Sequence, residues 1–302
     1  MQVEIQKAHA ASGARVAAGQ DLSVRVPATS ANLGPGFDSL GLAVTLYDTV
    51  RVRTTDSDGI RVRVAGEGAA VLPTDETHLV ARTIVDTIRR AGYAAGGFEL
   101  ECENVIPHGR GLGSSASAIV SGVLAGNALL PPSARLDAAG LLHACSALEG
   151  HPDNVAPALA GALAVSWEQE GIFRSVRAEV HPDIIPVAAV PATELSTESA
   201  RGLLPAMVPH RDAAANSGRA ALLMQALTAD PSLLSEGTED FLHQGYRAPA
   251  MAPSAQLITA LRAAGFAAVV SGAGPTVMTL AAGAEQADAA EAFLAAHLSG
   301  EN

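Results

Sequence analysis

A 302-residue chain with a formal charge of −12 and a single lysine, Lys7, is ill suited to bind nucleic acid or an anionic membrane. It also lacks any Gly-Lys-Ser/Thr, which excludes the lysine-centred phosphate loop. A hydrophobic content of 48% with 3% aromatics implies a core of Ala, Val, Leu and Ile, and the length suits two domains.

Cys102 and Cys145 have no C-x-x-C spacing, so neither a zinc site nor a redox pair is expected, and Cys102 reads as buried filler. No apolar run approaches the roughly 20 residues that cross a bilayer. Met1 to Gln20 lacks the layout of a signal peptide, so a cytoplasmic protein is expected.

Residues 1–20 show no sustained period and read as a loosely attached arm, either disordered or a subunit contact in a homodimer. Leu22, Val24 and Val26 then alternate with Ser23 and Arg25, the period of a half-buried strand. The loop from Pro27 to Asp38 is turn-rich; Asn32 and Asp38 are either turn hydrogen-bonders or site residues. The alternation returns over 50–53, 60–64 and 98–102, favouring an antiparallel or mixed sheet with one wet face. Between them, Leu79, Thr83, Ile84, Thr87, Ile88 and Ala91 fall at helical spacing, and Gly92 stops the helix.

Residues 107–116, PHGRGLGSSA, lead directly into an apolar helix over 115–130 that ends at Pro131-Pro132. A glycine-rich loop feeding a helix N-terminus presents free backbone N–H groups and the positive end of a dipole, a cradle for anions. A second helix covers 137–148 and leads to Glu149-Gly150-His151-Pro152-Asp153-Asn154, which either binds a metal or hydroxyl or is a capped helix junction. After about residue 165 the pattern starts afresh: helices over 212–229 and 254–264, a strand over 267–271, the turn Gly272-Ala273-Gly274-Pro275, a strand over 276–280 and a helix over 285–298. Strands with helices on one face suggest an α+β unit. No G-x-S-x-G surrounds Ser114 or Ser115, which disfavours a hydrolase elbow.

Taken in order, PATSANLGPGFD, GLGSSAS, EGHPDNVAPAL and SGAGPTV resemble the GHMP small-molecule kinases, and the likeness runs from about residue 22 to the C-terminus. It implies an α+β, two-domain GHMP kinase-like fold. An ATP-binding domain of mixed sheet and helices over 21–165 would pack on a ferredoxin-like domain over 166–302, with the active site between them. It further implies that Pro107, Gly111, Leu112, Gly113, Ser114, Ser115 and Ala116 wrap the ATP phosphates, with Gly272 and Gly274 closing over them. Ser114 and Glu149 would hold Mg²⁺.

The branch it matches best phosphorylates L-homoserine. Asn32, Asp38, His151 and Asn154 would then surround that substrate, Asp38 accepting from its ammonium or hydroxyl, and Arg201 and Arg247 holding its carboxylate. Asn154 stands where several relatives carry an aspartate base, and an amide cannot abstract a proton. The implied transfer therefore rests on positioning and electrostatics, and Asp153 is read as a loop-holding residue. Another small alcohol as substrate, or a silent nucleotide sensor, are the rival readings.

Overall fold

The computed structural model describes residues 13–299. The first half is a six-stranded sheet: β1 (Asp21–Ala31), β2 (Leu40–Thr55), β3 (Ile60–Gly66), β4 (Gly97–Asn104), β5 (Leu163–Gln169) and β6 (Ile172–Ala178). β2 is its hub. One edge of β2 pairs antiparallel with β1, while β4 takes Thr49 to Thr55 and β5 takes Leu40 to Leu42 of that strand. β3 joins β4 in parallel and β6 closes the far side as a hairpin with β5.

Four helices cover this sheet: α1 (Leu79–Arg90), α2 (Ser114–Leu129), α3 (Ala138–Glu149) and α4 (Val155–Ala160). α2 is the central one, buried on nearly every side, as its almost unbroken apolar sequence requires. The caps match their residue types. Asp137 accepts from the Gly140 N–H at the start of α3, and Gly92 follows α1 with φ of +88°.

The second half has three described strands, β7 (Ile184–Ala189), β8 (Ala267–Val270) and β9 (Val277–Ala282), in the antiparallel order β7–β9–β8. It also holds α5 (Thr197–Gly202), α6 (His210–Thr228), two single turns, α7 (Leu234–Gly237) and α8 (Gln244–Arg247), then α9 (Ala252–Ala263) and α10 (Ala284–Ser299). Residues 252–294 of α9, β8, β9 and α10 share one apolar cluster with Val187. No helix among the described residues is long and apolar enough to cross a membrane.

The structure differs from the sequence expectations in three places. Residues 27–31, expected in a loop, continue β1, with a register shift against β2 between Pro27 and Ala28 that accommodates the proline. The first sheet runs past residue 165, because β6 pairs with β5, and the chain crosses to the second sheet between Ala178 and Ile184. Of the arm, residues 1–12, including Lys7, lie outside the described residues. Its remainder is fastened: Val16 is buried and its N–H donates to Ala94 O at 2.9 Å, and the Gln20 amide reaches Leu129 O at 3.2 Å.

One apolar cluster joins the halves. Ala28, Leu33, Leu40 and Leu42 from the β1–β2 region pack with Leu223, Leu227, Val269, Met278 and Leu280. The cleft described next opens beside this shared core.

Candidate functional site

Four loops converge between the two sheets: 32–38, 109–115, 149–154 and 271–276. The first is held in an unusual backbone state. Asn32, Leu33 and Asp38 have φ of +69°, +51° and +55°, conformations that side-chain-bearing residues adopt at a cost and that cluster at functional sites. Asn32 fixes the bend: its Oδ1 accepts from the Asp38 N–H at 2.9 Å and its Nδ2 donates to Gly272 O at 2.9 Å.

The second loop ends in Gly113, which has φ of +71° and caps α2 with no side chain. A Cβ at Gly113 would collide with the Thr29 hydroxyl, and one at Gly111 with Ser271 O. Both glycines therefore serve close approach as well as backbone shape. With no side chain capping it, α2 presents its first N–H groups to the cleft. Ser271 clamps the same loop by donating to Gly111 O at 2.6 Å.

The resulting cleft of about 690 Å³ is lined by Asn32, Asp38, Gly111, Gly113, Ser114, Ser115, Glu149, His151, Asn154, Arg201, Arg247, Gly272 and Gly274. Sequence reasoning named every one of these. Pro107, Leu112 and Ala116, expected at the phosphates, are not among its lining residues. Leu112 and Ala116 are buried in the core and shape the loop from behind, since their apolar side chains pack inward. Gly109 of the glycine-rich loop and Ala273 also line the cleft, as do Leu195, Ser196 and Thr197, which were not expected there, and Asp153, read from the sequence as a loop-holding residue. Ser196 begins a capping turn, accepting from the Ser199 N–H at 3.1 Å, a signal present in the Ser-Thr-Glu-Ser run.

Several expected roles are altered by the partners these residues have. Asp38 and Arg201 form a two-pronged ion pair with each other, at 2.6 and 3.0 Å. The Asp38 hydrogen bonds and charge hold Arg201 above its usual pKa. Arg247 is 2% exposed and donates to Ala200 O at 3.3 Å and to Gly272 O at 3.2 Å. Burial, with the Arg201 charge beside it, lowers the Arg247 pKa from the guanidinium value. Phe37 faces both guanidinium groups, with centroid distances of 5.7 Å to Arg201 and 5.3 Å to Arg247. His243 stacks on this ring with centroids 5.1 Å apart, its Nε2 donating to Gly34 O at 2.8 Å.

Around the third loop, Asn154 Oδ1 accepts from the Thr29 hydroxyl at 2.8 Å, and His151 Nδ1 lies 2.6 Å from Asp153 Oδ1. Burial pulls the His151 pKa down, but the Asp153 hydrogen bond and charge, with Glu149 behind them, leave it raised. Burial raises the Glu149 pKa, and its Oε2 accepts from the Ser115 hydroxyl at 2.8 Å. Among the described residues no three His, Cys, Asp or Glu side chains gather as a metal site. Glu149, the cleft carboxylate with no cationic partner among the described residues, stands with the Ser114 and Ser115 hydroxyls, a donor set that suits Mg²⁺ shared with a phosphorylated ligand.

A second cavity shares Ser114 and Ser115 with this cleft and is lined by Asp48, Leu72, His78, Asn104, His108 and Ser121 among others. His78 Nδ1 and Ser121 Oγ are buried there without a hydrogen-bond partner. No sequence motif marked this cavity, because its residues come from five separate segments.

Two family models match the chain: the GHMP kinases N terminal domain over residues 78–162 and the GHMP kinases C terminal over 213–300. The homoserine kinase of Streptomyces coelicolor is 55% identical over 89% of this chain and 87% of its own. That of Leifsonia xyli is 52% identical over 87% of this chain and 81% of its own. Among solved structures, homoserine kinase from Cytophaga hutchinsonii superposes with a TM-score of 0.78 at 30% identity, covering 89% of this chain and 87% of that one. Phosphomevalonate kinase from Streptococcus pneumoniae shares the fold, with a TM-score of 0.66 at 17% identity over 89% of this chain and 94% of that one.

Proposed function

The chain belongs to the homoserine kinases, within the GHMP kinases, and from that membership we propose that it transfers the γ-phosphoryl group of ATP to the hydroxyl of L-homoserine, giving O-phospho-L-homoserine and ADP. The observation that carries the reading is one cleft in which an uncapped helix N-terminus faces two arginines. The α2 N–H groups suit the phosphates, and Arg201 with Arg247 suit a carboxylate.

ATP would lay its phosphates along Gly111 to Ser115, with its nucleoside in the cavity lined by Asp48, His78, His108 and Asn104. Glu149 with Ser114 or Ser115 would hold Mg²⁺, which supplies positive charge to the phosphate oxygens as the bond to the leaving ADP breaks. Glu149 fits that task as a partly buried carboxylate whose one side-chain partner is a neutral hydroxyl.

The amino acid would enter with its carboxylate at Arg247 and Arg201 and its ammonium at Asp38. Its own opposite charges would take over the partners that Asp38 and Arg201 now find in each other. Asn154 and His151 would orient the hydroxyl. His151, whose Nδ1 is tied to Asp153, would be oriented to hydrogen-bond the hydroxyl through its other ring nitrogen. As the substrate oxygen bonds to phosphorus and the bond to ADP breaks, the hydroxyl proton would pass to an oxygen of the transferred phosphoryl group, and the loose transition state asks for alignment more than for a strong base.

The test is ADP release from ATP with L-homoserine, D-homoserine, L-serine, mevalonate and galactose, with and without Mg²⁺, and phosphorus NMR of the product. Phosphohomoserine formed selectively, and only with Mg²⁺, is expected. Turnover confined to another alcohol would overturn the substrate assignment, and nucleotide binding with no turnover on any of them would favour a sensor.

A further inference from the structure

Within the phosphate loop, Arg110 stands between two cleft-lining glycines, Gly109 and Gly111, yet its own side chain does not line the cleft. Its guanidinium turns the other way, onto the segment that leads from β7 into α5. Nε donates to Pro191 O at 2.9 Å and Nη2 to Ala192 O at 3.0 Å, while Nη1 turns back to His108 O at 2.8 Å. The Glu194 carboxylate stands 3.7 Å from Nη1, and the Leu195 N–H donates to Gly109 O at 2.9 Å. The Arg110 side chain is 17% exposed, so these bonds are largely shielded from water.

The strap made by residues 191–195 runs straight into α5, whose Arg201 holds Asp38 and whose Ala200 carbonyl accepts from Arg247. One side chain therefore ties the loop that meets the nucleotide to the segment that meets the amino acid. The loop is built on Gly109, Gly111 and Gly113, all at positive φ, and a phosphate chain bound along it restricts their freedom. Whichever ligand arrives first orders loop and strap together, leaving less to be ordered by the second.

We propose that Arg110 is a positioning residue that couples the two substrates, so that nucleotide in the loop tightens amino-acid binding at Arg201, and the reverse. The proposal rests on the reading of the cleft given above. By linkage the effect is reciprocal. It is carried by the fork of the guanidinium across two carbonyls, not by its charge, so lysine cannot replace it.

Calorimetric titration of the full chain with L-homoserine, with and without Mg²⁺ and the non-hydrolysable analogue AMPPNP, tests this. In the wild type the analogue is expected to lower the homoserine Kd by roughly tenfold, in the usual range of such couplings. In Arg110→Gln and in Arg110→Lys that ratio should fall to within about twofold of unity, with the Kd of the analogue alone little changed. Hydrogen exchange on the wild type should show residues 191–202 gaining protection when AMPPNP binds without homoserine, a readout that needs no variant.

A full ratio kept in Arg110→Gln would overturn the proposal, as would its absence in the wild type. Analogue affinity lost in Arg110→Gln and restored in Arg110→Lys would make Arg110 a phosphate contact instead. A wild type that neither binds nor phosphorylates homoserine would remove the reading of the cleft itself, an outcome the substrate panel separates from the others.

Discussion

Arg247 carries two tasks in one side chain. Its guanidinium lies in the cleft lining, yet it also satisfies the carbonyls of Ala200 and Gly272 from a position with almost no exposure. Truncation to alanine removes a charge-assisted anchor worth about 1.5–3 kcal/mol and takes a donor from Ala200 O, while Gly272 O keeps its hydrogen bond from Asn32 Nδ2. The homoserine KM of Arg247→Ala should therefore rise by about ten- to a hundredfold, with the KM for ATP little changed and the melting temperature lowered. Steady-state kinetics with a thermal scan check both, and an unchanged homoserine KM would take Arg247 out of the substrate site.

At this scale the motifs were largely legible, because Asn32, Asp38, His151 and Asn154 sit in runs whose local chemistry is dense. What could not be read was which partner each would find. Asp38 meets Arg201 across 163 positions of sequence, and Phe37 meets its two guanidinium groups only when α5 and α8 arrive.

α2 illustrates what an element demands of its first residue. Its N-cap must be in the left-handed region, must offer no competing side chain, and must lie against Thr29 and Asn154. Gly113→Ala fails on conformation and on space, so kcat should drop by at least a hundredfold, about 2.7 kcal/mol of lost transition-state stabilisation. The alanine methyl also pushes on the Thr29–Asn154 hydrogen bond, so the fold should soften as well. Retained activity in single-turnover assays would show that the loop can relax around the methyl group and that its close approach is not needed.

The six longer helices were legible to within two residues because their apolar period is local, whereas α4, α5, α7 and α8 are too short to show one and were not read. Strands were legible where one face is wet, as in Val50 to Arg53, and lost where both faces are covered. From Val26 onward every residue of β1 is buried, and the in/out alternation that would have marked it disappears.

Across the whole molecule, acid stability should follow from two histidines that the fold keeps neutral. Burial lowers the pKa of His78 and of His243 below the ordinary 6.5, the neighbouring His108 and Arg247 charges respectively assisting. The unfolded chain then binds protons first. Stability from these groups is present above pH 6.5 and is lost as the pH falls through their lowered values, while the raised His151 opposes the trend. Urea midpoints taken between pH 7.5 and 5 should decline, and decline less steeply in His78→Gln. Equal slopes in the two proteins would mean that His78 takes up its proton in the folded state as readily as outside it.

The two-part layout was legible from the restart of pattern after residue 165, but not the hairpin that extends the first sheet beyond it. Ile172 to Ala178 is mostly exposed and shows its allegiance only through pairing with β5.

The phosphate cradle of backbone amides and serine hydroxyls has a chemical consequence. Cyanate, acyl phosphates and aldehydes attack unprotonated amines, and the lining of both cavities offers them none. The only lysine, Lys7, precedes the described residues altogether. Among the described residues, carbamoylation or acetylation of amines, which silences many phosphate-handling proteins through a lysine, finds no lysine in this cleft. Amine-directed coupling to a dye or a support therefore meets no lysine among the described residues that line the proposed site.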